Sequence, residues 1–245
     1  MNTGCVPSKA LLAAAEARHV TLDAARFPGL PLPDAPPVDM PAMVAGKDKL
    51  VGSLRSEKYA ALAAEYGWAL HPGEATFVGT PTEPALRVTG PDGTAETVRA
   101  AHHLIATGST PWAPPVPGLQ EAGYLTSTTA MELDHVPESL LVIGGGYVAM
   151  EQAQLFSRLG AQVTMLVRSR LASHEEPEAA TALEEILADE GIDEAQAVRK
   201  LSRVLRVHFR RQREMAIGPD LSHRNTQIET LLAAPSVQTA IINEA

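Results

Sequence analysis

The sequence feature that most restricts the fold is a glycine-rich turn between a short apolar run and a helix. Residues 140–143 are apolar, Gly144-Gly145-Gly146-Tyr147-Val148-Ala149 follows them, and the pattern predicts a helix over residues 150–159. Gly160 ends this helix, and residues 162–167 form a second apolar run. Strand, turn, helix and strand together take up about thirty residues, the expected size of a βαβ unit. The sequence therefore predicts an α/β fold with a Rossmann-like unit at this position.

The glycines of this turn have the spacing of a dinucleotide site. Gly144-x-Gly146-x-x-Ala149 fits the dinucleotide fingerprint with alanine as the third small residue. Gly144 would permit the tight turn, Gly146 would let the backbone approach a pyrophosphate, and Ala149 would keep the helix close to the strand. The N-terminus of the helix adds N–H groups and positive potential, which bind phosphates. We therefore expect dinucleotide binding, with a glycine-rich turn that binds no ligand as the alternative.

The end of the second strand indicates which nucleotide is bound. NAD sites place Asp or Glu there to hold the ribose 2′-hydroxyl, whereas NADP sites use Arg for the 2′-phosphate. Here Val167 takes the acidic position, and Arg168, Ser169 and Arg170 follow it. Two cations and no carboxylate favour NADPH, and a solvated basic loop is the alternative.

The single cysteine, Cys5, stands just before a predicted helix. Pro7 suits the first helical turn, where its missing N–H leaves no bond unmade, and residues 10–18 are mostly strong helix formers. The N-terminus of this helix would direct N–H groups and positive potential toward Cys5, which favours the reactive thiolate over the thiol. A buried or incidental cysteine is the alternative.

Several motifs resemble those of one family. The string Asn2-Thr3-Gly4-Cys5-Val6-Pro7-Ser8-Lys9 is similar to the redox-active motif of the flavin disulfide reductases, which include lipoamide dehydrogenases, glutathione reductases and mercuric reductases. Residues 73–77 and 104–111 resemble the family's flavin-binding segments, and residues 56–59 and 114–128 resemble mercuric reductases in particular. The resemblance covers roughly residues 2–192. A lipoamide- or glutathione-reductase-like enzyme is the alternative within the family.

The resemblance implies an FAD- and NADPH-dependent oxidoreductase that reduces Hg(II) to Hg(0). Cys5 would bind the Hg(II) substrate and form a charge-transfer pair with the flavin, and soft sulfur suits this soft ion. Lys9 would lie near the flavin and pair with Glu151, and Tyr59 would line the metal-ion site. Without the resemblance, we expect Tyr59 to be a structural residue at the edge of the core and Glu151 to be a solvated charge on a helix. The positions implied to bind the cofactors are Lys9, Ala75, Ala106, Thr107, Gly108, Gly144, Gly145, Gly146, Tyr147, Val148, Glu151, Arg168 and Arg170.

The same resemblance predicts a protein that is incomplete at both ends. The family's second redox cysteine and its flavin-phosphate glycine loop would both precede Met1. We expect a partial FAD-binding domain over residues 1–136, a partial NADP-binding domain over 137–192, and an unassigned basic tail over 193–245 that arises from a frameshift or fusion. Activity would then be impaired, and the family's dimerisation domain would be absent. The alternative of another class is a non-catalytic remnant that binds a nucleotide or Hg(II).

Secondary structure outside the motifs follows from local pattern. Residues 75–78 and 85–88 are predicted as short strands, 102–106 as a buried strand, and 195–215 as a basic helix. His102 and His103 read as the start of that strand rather than as metal ligands, since no second ligand pair lies at a suitable spacing.

Composition limits the possible partners. The net charge is −9, the sequence has one cysteine, and no apolar run approaches the roughly 18–20 residues that span a membrane. We therefore expect a cytoplasmic protein with neither a nucleic-acid nor a membrane partner.

Overall fold

The computed structural model describes residues 3–30, 35, 37–113, 119, 123–167, 169–196 and 240–242, with backbone alone for 195–196 and 240–242. The chain divides into two compact units. The larger unit takes residues 1–51 and 111–245, and the smaller takes residues 52–110. These boundaries differ from the expected ones after residues 136 and 192, which divide the chain according to the cofactor that each part binds. That division stays a prediction.

The helices are α1 (Cys5–Asp23), a 3-10 turn (Ala24–Arg26), α2 (Met40–Arg55), a π-helical stretch (Ser56–Ala60), α3 (Ala61–Glu65), α4 (Ser127–Ala130), α5 (Tyr147–Leu159) and α6 (Pro177–Asp189). The strands are β1 (Glu74–Gly79), β2 (Pro84–Thr89), β3 (Ala95–Val98), β4 (Leu125–Thr126), β5 (Ser139–Ile143), β6 (Gln162–Val167), β7 (Asp193–Gln196) and β8 (Ala240–Ile242). None of these helices is long and apolar enough to cross a membrane.

The larger unit is built on a parallel sheet of five strands in the order β4-β8-β5-β6-β7. The predicted βαβ unit is confirmed as β5-α5-β6, with the two strands in register from Ser139 opposite Gln162 to Ile143 opposite Leu166. Gly160 ends α5 in the left-handed conformation (φ 110°), which glycine adopts without strain. In this order, β6 and then β7 lie on one side of β5, and β8 lies on the other side. The carboxyl end of β5 is therefore a topological switch point, where ligands bind in sheets of this type.

The core of this unit lies between the sheet and two helices, α1 and α5, that pack against each other. Alanines lie fully buried on both helices, Ala15 on α1 and Ala149 and Ala153 on α5. Small side chains let helix backbones approach closely, and Leu11 and Phe156 fill the space beside them. Lys9 near the start of α1 contacts Glu151 near the start of α5, and Glu16 further along α1 contacts Arg158 near the end of α5. The two helices therefore run parallel.

A partly buried charge network joins the carboxyl-terminal parts of these helices. Arg158 on α5 donates to both carboxylate oxygens of Glu190, at 2.9 and 2.7 Å, and also contacts Glu16 on α1. Arg18 on α1 donates to the backbone carbonyl of Arg158 at 2.5 Å. Burial works against the charge of Glu190, but hydrogen bonds from Arg158 and Gln154 outweigh that cost and lower the pKa of this carboxyl. The network therefore stabilises the junction of α1, α5 and the residue that follows α6.

A second buried cation, Lys47, fixes α2. Its ammonium group pairs with Asp48 at 2.9 Å and with Glu132 in the turn after α4. Burial opposes the charge, yet the hydrogen bonds with Glu132 and Asp48 raise the pKa of Lys47 above its ordinary value. Lys47 thus holds α2 against the segment that leads into β5.

The smaller unit contains the antiparallel sheet β1-β2-β3, and the two predicted strands at 75–78 and 85–88 are confirmed within β1 and β2. The prediction of a buried strand over residues 102–106 is wrong. This segment has no regular secondary structure, and Leu104 is 92% exposed. An apolar run becomes a buried strand only beside a partner strand, and none of the described strands pairs with it.

The expected helix over residues 195–215 is wrong at its start, because Ala195 and Gln196 belong to β7 and pair with β6. The open edge of β6 supplies backbone hydrogen-bond partners there, and these override the local helical pattern. The rest of that predicted helix lies outside the described residues.

The pKa of Glu190 generates a stability prediction. A carboxyl whose pKa is lower in the folded state contributes stability that is complete above its unfolded pKa, near 4.5, and is lost as the pH falls through the folded value. We expect Glu190→Gln to lower the free energy of unfolding at pH 7 by about 2 kcal/mol, because the Arg158 guanidinium loses the less exposed of its two charged partners and keeps only Glu16. Below pH 4.5 the variant should approach the wild type, as measured by denaturant unfolding at several pH values. A loss of stability that stays the same at pH 3 would contradict this account.

Candidate functional site

The parallel arrangement of α1 and α5 brings the cysteine and the glycine-rich turn to the same end of the larger unit. Cys5 is the first residue of α1, and Gly146 is the N-cap of α5. Lys9 Nζ donates to Glu151 Oε1 at 2.5 Å, and Ser8 Oγ donates to Glu151 Oε2 at 3.0 Å. The predicted pairing of Lys9 with Glu151 is thus present. It links the second turns of the two helices, so both N-termini face one region.

Gly144 and Gly145 have distinct structural requirements in the turn. Gly144 has φ 127°, outside the range of other residues, and its N–H donates to Leu166 O at 3.0 Å. Gly145 packs tightly, because a Cβ there would lie 3.1 Å from Val167 Cγ1 and 3.2 Å from Arg170 O. Gly145 was predicted only as a cofactor-binding residue, and its close packing was not foreseen, although three successive glycines were the available signal. These two residues shape the turn.

Gly146 leaves the space that a bound phosphate requires. Among the described residues, no neighbouring atom lies within 4 Å of the position that its Cβ would take. The first helical bond of α5 runs from the Met150 N–H to Gly146 O, so the N–H groups of Tyr147, Val148 and Ala149 have no partner within the helix. Tyr147 is exposed and Val148 half-buried, while Ala149 is fully buried, as the fingerprint predicts. The turn therefore fits the pyrophosphate of a dinucleotide.

The predicted 2′-phosphate ligands follow β6. Arg168 lies outside the described residues. Arg170 is half-buried, and its guanidinium donates to Glu184 Oε1 at 3.3 Å and to Thr181 Oγ1 at 3.5 Å on α6. A nucleotide phosphate would have to compete with Glu184 for this cation.

Cys5 is exposed and not bonded to another cysteine. The first backbone bond of α1 runs from Ser8 N to Gly4 O at 3.2 Å. The N–H groups of Cys5 and Val6 therefore have no helical partner, and Pro7 has no N–H. The predicted start of the helix at the cysteine is confirmed. An anion that forms at the Cys5 sulfur would lie at the positive end of α1.

The remaining predicted site residues lie in the smaller unit. Tyr59 is exposed within the π-helical stretch, and Ala75 is exposed on β1. Ala106, Thr107 and Gly108 are exposed in the irregular segment after β3. The described residues of this unit contain no glycine turn at a helix N-terminus, so they do not fit the pyrophosphate of a flavin. Nor do the described residues of the chain contain a group of His, Cys, Asp and Glu arranged to hold a metal ion.

Substitution of two glycines tests this geometry. Gly144→Ala should lower the free energy of unfolding by about 2 kcal/mol, because alanine is strained at φ 127°. Gly146→Ala is the matched control, since its φ of −83° suits alanine and its surroundings are open, and it should cost less than about 1 kcal/mol. Denaturant unfolding measures both values, and equal losses would contradict the assigned roles.

Comparison with known proteins gives the family. A family model described as pyridine nucleotide-disulphide oxidoreductase matches residues 1–204, which extends beyond residue 192 into the segment that the sequence left unassigned. Mercuric reductase from Streptomyces lividans is 60% identical over 192 residues, which are 78% of this chain and 40% of that protein. Mercuric reductase from Lysinibacillus sphaericus is 43% identical over 194 residues, 79% of this chain and 34% of that protein.

Solved structures agree with the fold. The Cu(II) complex of the HOCl-induced flavoprotein disulfide reductase RclA from Escherichia coli matches with a TM-score of 0.64 and 27% identity, over 81% of this chain and 40% of that one. LpdA from Mycobacterium tuberculosis has a TM-score of 0.67 at 24% identity, over 80% and 42%, and supports the fold alone. The chain thus spans less than half the length of these relatives. It belongs to the pyridine nucleotide-disulphide oxidoreductase family.

Proposed function

We propose that this chain carries the thiol and pyridine-nucleotide parts of an FAD- and NADPH-dependent oxidoreductase that reduces Hg(II) to Hg(0). The observation that carries the proposal is the 60% identity with a mercuric reductase over 192 residues. The structure supports it, because Cys5 and the glycine-rich turn lie at the same ends of two parallel helices. The disulfide reductase among the solved structures is only 27% identical, which favours Hg(II) over a disulfide as substrate.

The residues of the larger unit fit NADPH. The N–H groups of Tyr147 and Val148 would hold the pyrophosphate, and Gly146 gives the phosphates access to the backbone. Arg170, together with Arg168, would bind the 2′-phosphate. When bound, the nicotinamide supplies a hydride, which carries the two electrons that convert Hg(II) to Hg(0).

Cys5 would bind the metal ion that is reduced. Its sulfur is exposed, and thiolates are the ligands that soft ions prefer. When the metal leaves as Hg(0), the thiolate that remains would lie at the positive end of α1, where the N–H groups of Cys5 and Val6 have no helical partner. Tyr59 stays a proposed contact for the metal ion.

FAD is part of the proposed activity because of the family, with Lys9, Ala75, Ala106, Thr107 and Gly108 as its proposed contacts. Because the described residues do not fit the pyrophosphate of FAD, we propose that activity is impaired. We also propose a cytoplasmic location and no nucleic-acid partner for a chain of net charge −9. The homodimeric state is that of the family.

The activity prediction uses NADPH oxidation followed at 340 nm with added FAD. We expect a slow oxidation that requires Hg(II) and that Cys5→Ser abolishes, because a serine hydroxyl does not replace a soft thiolate. The visible absorbance of the purified chain shows whether flavin is retained. Nucleotide binding without any Hg(II)-dependent oxidation would favour the alternative of a non-catalytic remnant, and full activity in Cys5→Ser would refute the role of the thiol.

The nucleotide preference gives a separate prediction. Arg170→Ala should weaken NADPH binding relative to NADH by about tenfold or more, the effect of losing a charged hydrogen bond. Glu184→Gln is the matched control, since it removes the partner of Arg170 but keeps the cation. It should leave NADPH affinity unchanged or higher, as measured by titration calorimetry. Unchanged affinities for both nucleotides in Arg170→Ala would mean that this arginine belongs only to a solvated basic loop, and equal weakening of both would exclude a specific contact with the 2′-phosphate.

A further inference from the structure

Ser8 is a buried polar residue that the proposed mechanism does not use. Its side chain is 6% exposed, and its hydroxyl lies 3.0 Å from Glu151 Oε2 on α5 and 3.4 Å from Cys5 O on its own helix. A hydroxyl has one hydrogen to donate, and the nearer, charged acceptor is the stronger one. Ser8 therefore donates across the helix interface to Glu151.

The two oxygens of Glu151 are held by adjacent residues of α1. Oε1 accepts from Lys9, and Oε2 accepts from Ser8. The Lys9 side chain is 60% exposed, so water and salt weaken that ion pair. The hydrogen bond of Ser8 is partly buried, since Ser8 is 6% exposed and Glu151 29%, so water reaches it less readily than it reaches Lys9. Of the two contacts, that of Ser8 therefore sets the position of the carboxylate more firmly.

The same residue also belongs to the turn that presents the cysteine. The Ser8 N–H makes the first backbone bond of α1, to Gly4 O, and Cys5 lies three residues earlier on the same turn. A side chain that fixes Ser8 against α5 consequently fixes this first turn. The N–H groups at the start of α1 keep their direction only while the turn is formed.

We propose that Ser8 is a positioning residue for Cys5 and that it acts through Glu151. The hydrogen bond from Ser8 to Glu151 attaches the first turn of α1 to the helix that follows the glycine-rich turn. It thereby keeps Cys5 and the first turn of α1 at the same end of the helix pair as the glycine-rich turn. The inference rests on the proposed function in taking Cys5 as the reacting thiol.

The test measures the rate at which iodoacetamide alkylates the full chain. Cys5 is the single cysteine, so the loss of titratable thiol reports this residue alone. The thiolate sulfur attacks the methylene carbon, a C–S bond forms, and iodide leaves with the electron pair of the C–I bond. Ser8→Ala should slow the reaction about two- to fivefold, the effect of a helix N-terminus on a nearby anion. Ser8→Thr, which keeps the hydroxyl, should restore most of the rate.

A double-mutant cycle separates action through Glu151 from a local effect on the helix. In the Glu151→Gln background, Ser8→Ala should change the rate by less than half of its effect in the wild type, because the partner is already altered. Ser157→Ala is the matched control, since it removes one hydroxyl, bonded to Glu190 O, at the other end of α5. It should leave the alkylation rate unchanged. Circular dichroism checks that each variant is folded.

Two results would overturn the inference. An unchanged rate in Ser8→Ala would show that the hydroxyl does not position the thiol, and equal effects of Ser8→Ala in both backgrounds would show that Glu151 is not involved. The experiment contains no nucleotide, flavin or mercury. Failure of the proposed mercuric reductase activity would therefore not change the result of the alkylation experiment. Failure of this inference would likewise not refute the proposed activity.

Discussion

The structure of the larger unit depends on the close parallel packing of α1 against α5. Buried alanines, Ala15 on one helix and Ala149 and Ala153 on the other, allow this approach. Because the helices are parallel, both N-termini lie at one end, and the positive ends of two helix dipoles add there. An antiparallel pair would place Cys5 at the far end from the glycine-rich turn. The orientation of one helix pair thus accounts for the presence of a thiol and a nucleotide turn in the same region.

The polar contacts at the two ends of this helix pair differ in strength. At the carboxyl ends, the side chains of Arg158 and Glu190 are only 14% and 10% exposed and their hydrogen bonds are extensive, so removing one partner leaves the other charge with fewer contacts in a poorly solvated place. At the amino ends, Lys9 is largely exposed and only Ser8 is buried. The stronger polar contacts between the two helices therefore lie far from the candidate site. Fewer polar contacts hold the helices together near Cys5, so a substitution there can change the reactivity of the thiol without unfolding the unit.

The sequence predicted the parts of the site that follow from local rules. A glycine with positive φ, a helix N-cap and a small buried residue each have a requirement that the residue type reveals, as Gly144, Gly146 and Ala149 illustrate. Residue spacing alone did not predict the pairing of Lys9 with Glu151, which came from resemblance to a family. Contacts between distant segments without a motif were missed, including the Arg158 network and the partner that Arg170 has in Glu184. Such contacts depend on how elements pack, and local pattern does not encode that.

The segment over residues 102–106 shows where local pattern fails for a physical reason. Its apolar residues predict a buried strand, yet Leu104 and Ile105 are exposed. A strand satisfies its backbone only through a neighbour, whereas a helix satisfies most of its own. The backbone hydrogen bonds of a predicted helix such as α1 or α5 therefore form within the helix itself. A predicted strand, in contrast, also requires a neighbouring strand. The flavin-motif residues Ala106, Thr107 and Gly108 lie at the end of this segment and just beyond it, and all three are exposed. None of the described strands pairs with the segment, so no sheet fixes their position. The nucleotide turn, by contrast, lies between the paired strands β5 and β6, and this pairing accounts for its regular geometry.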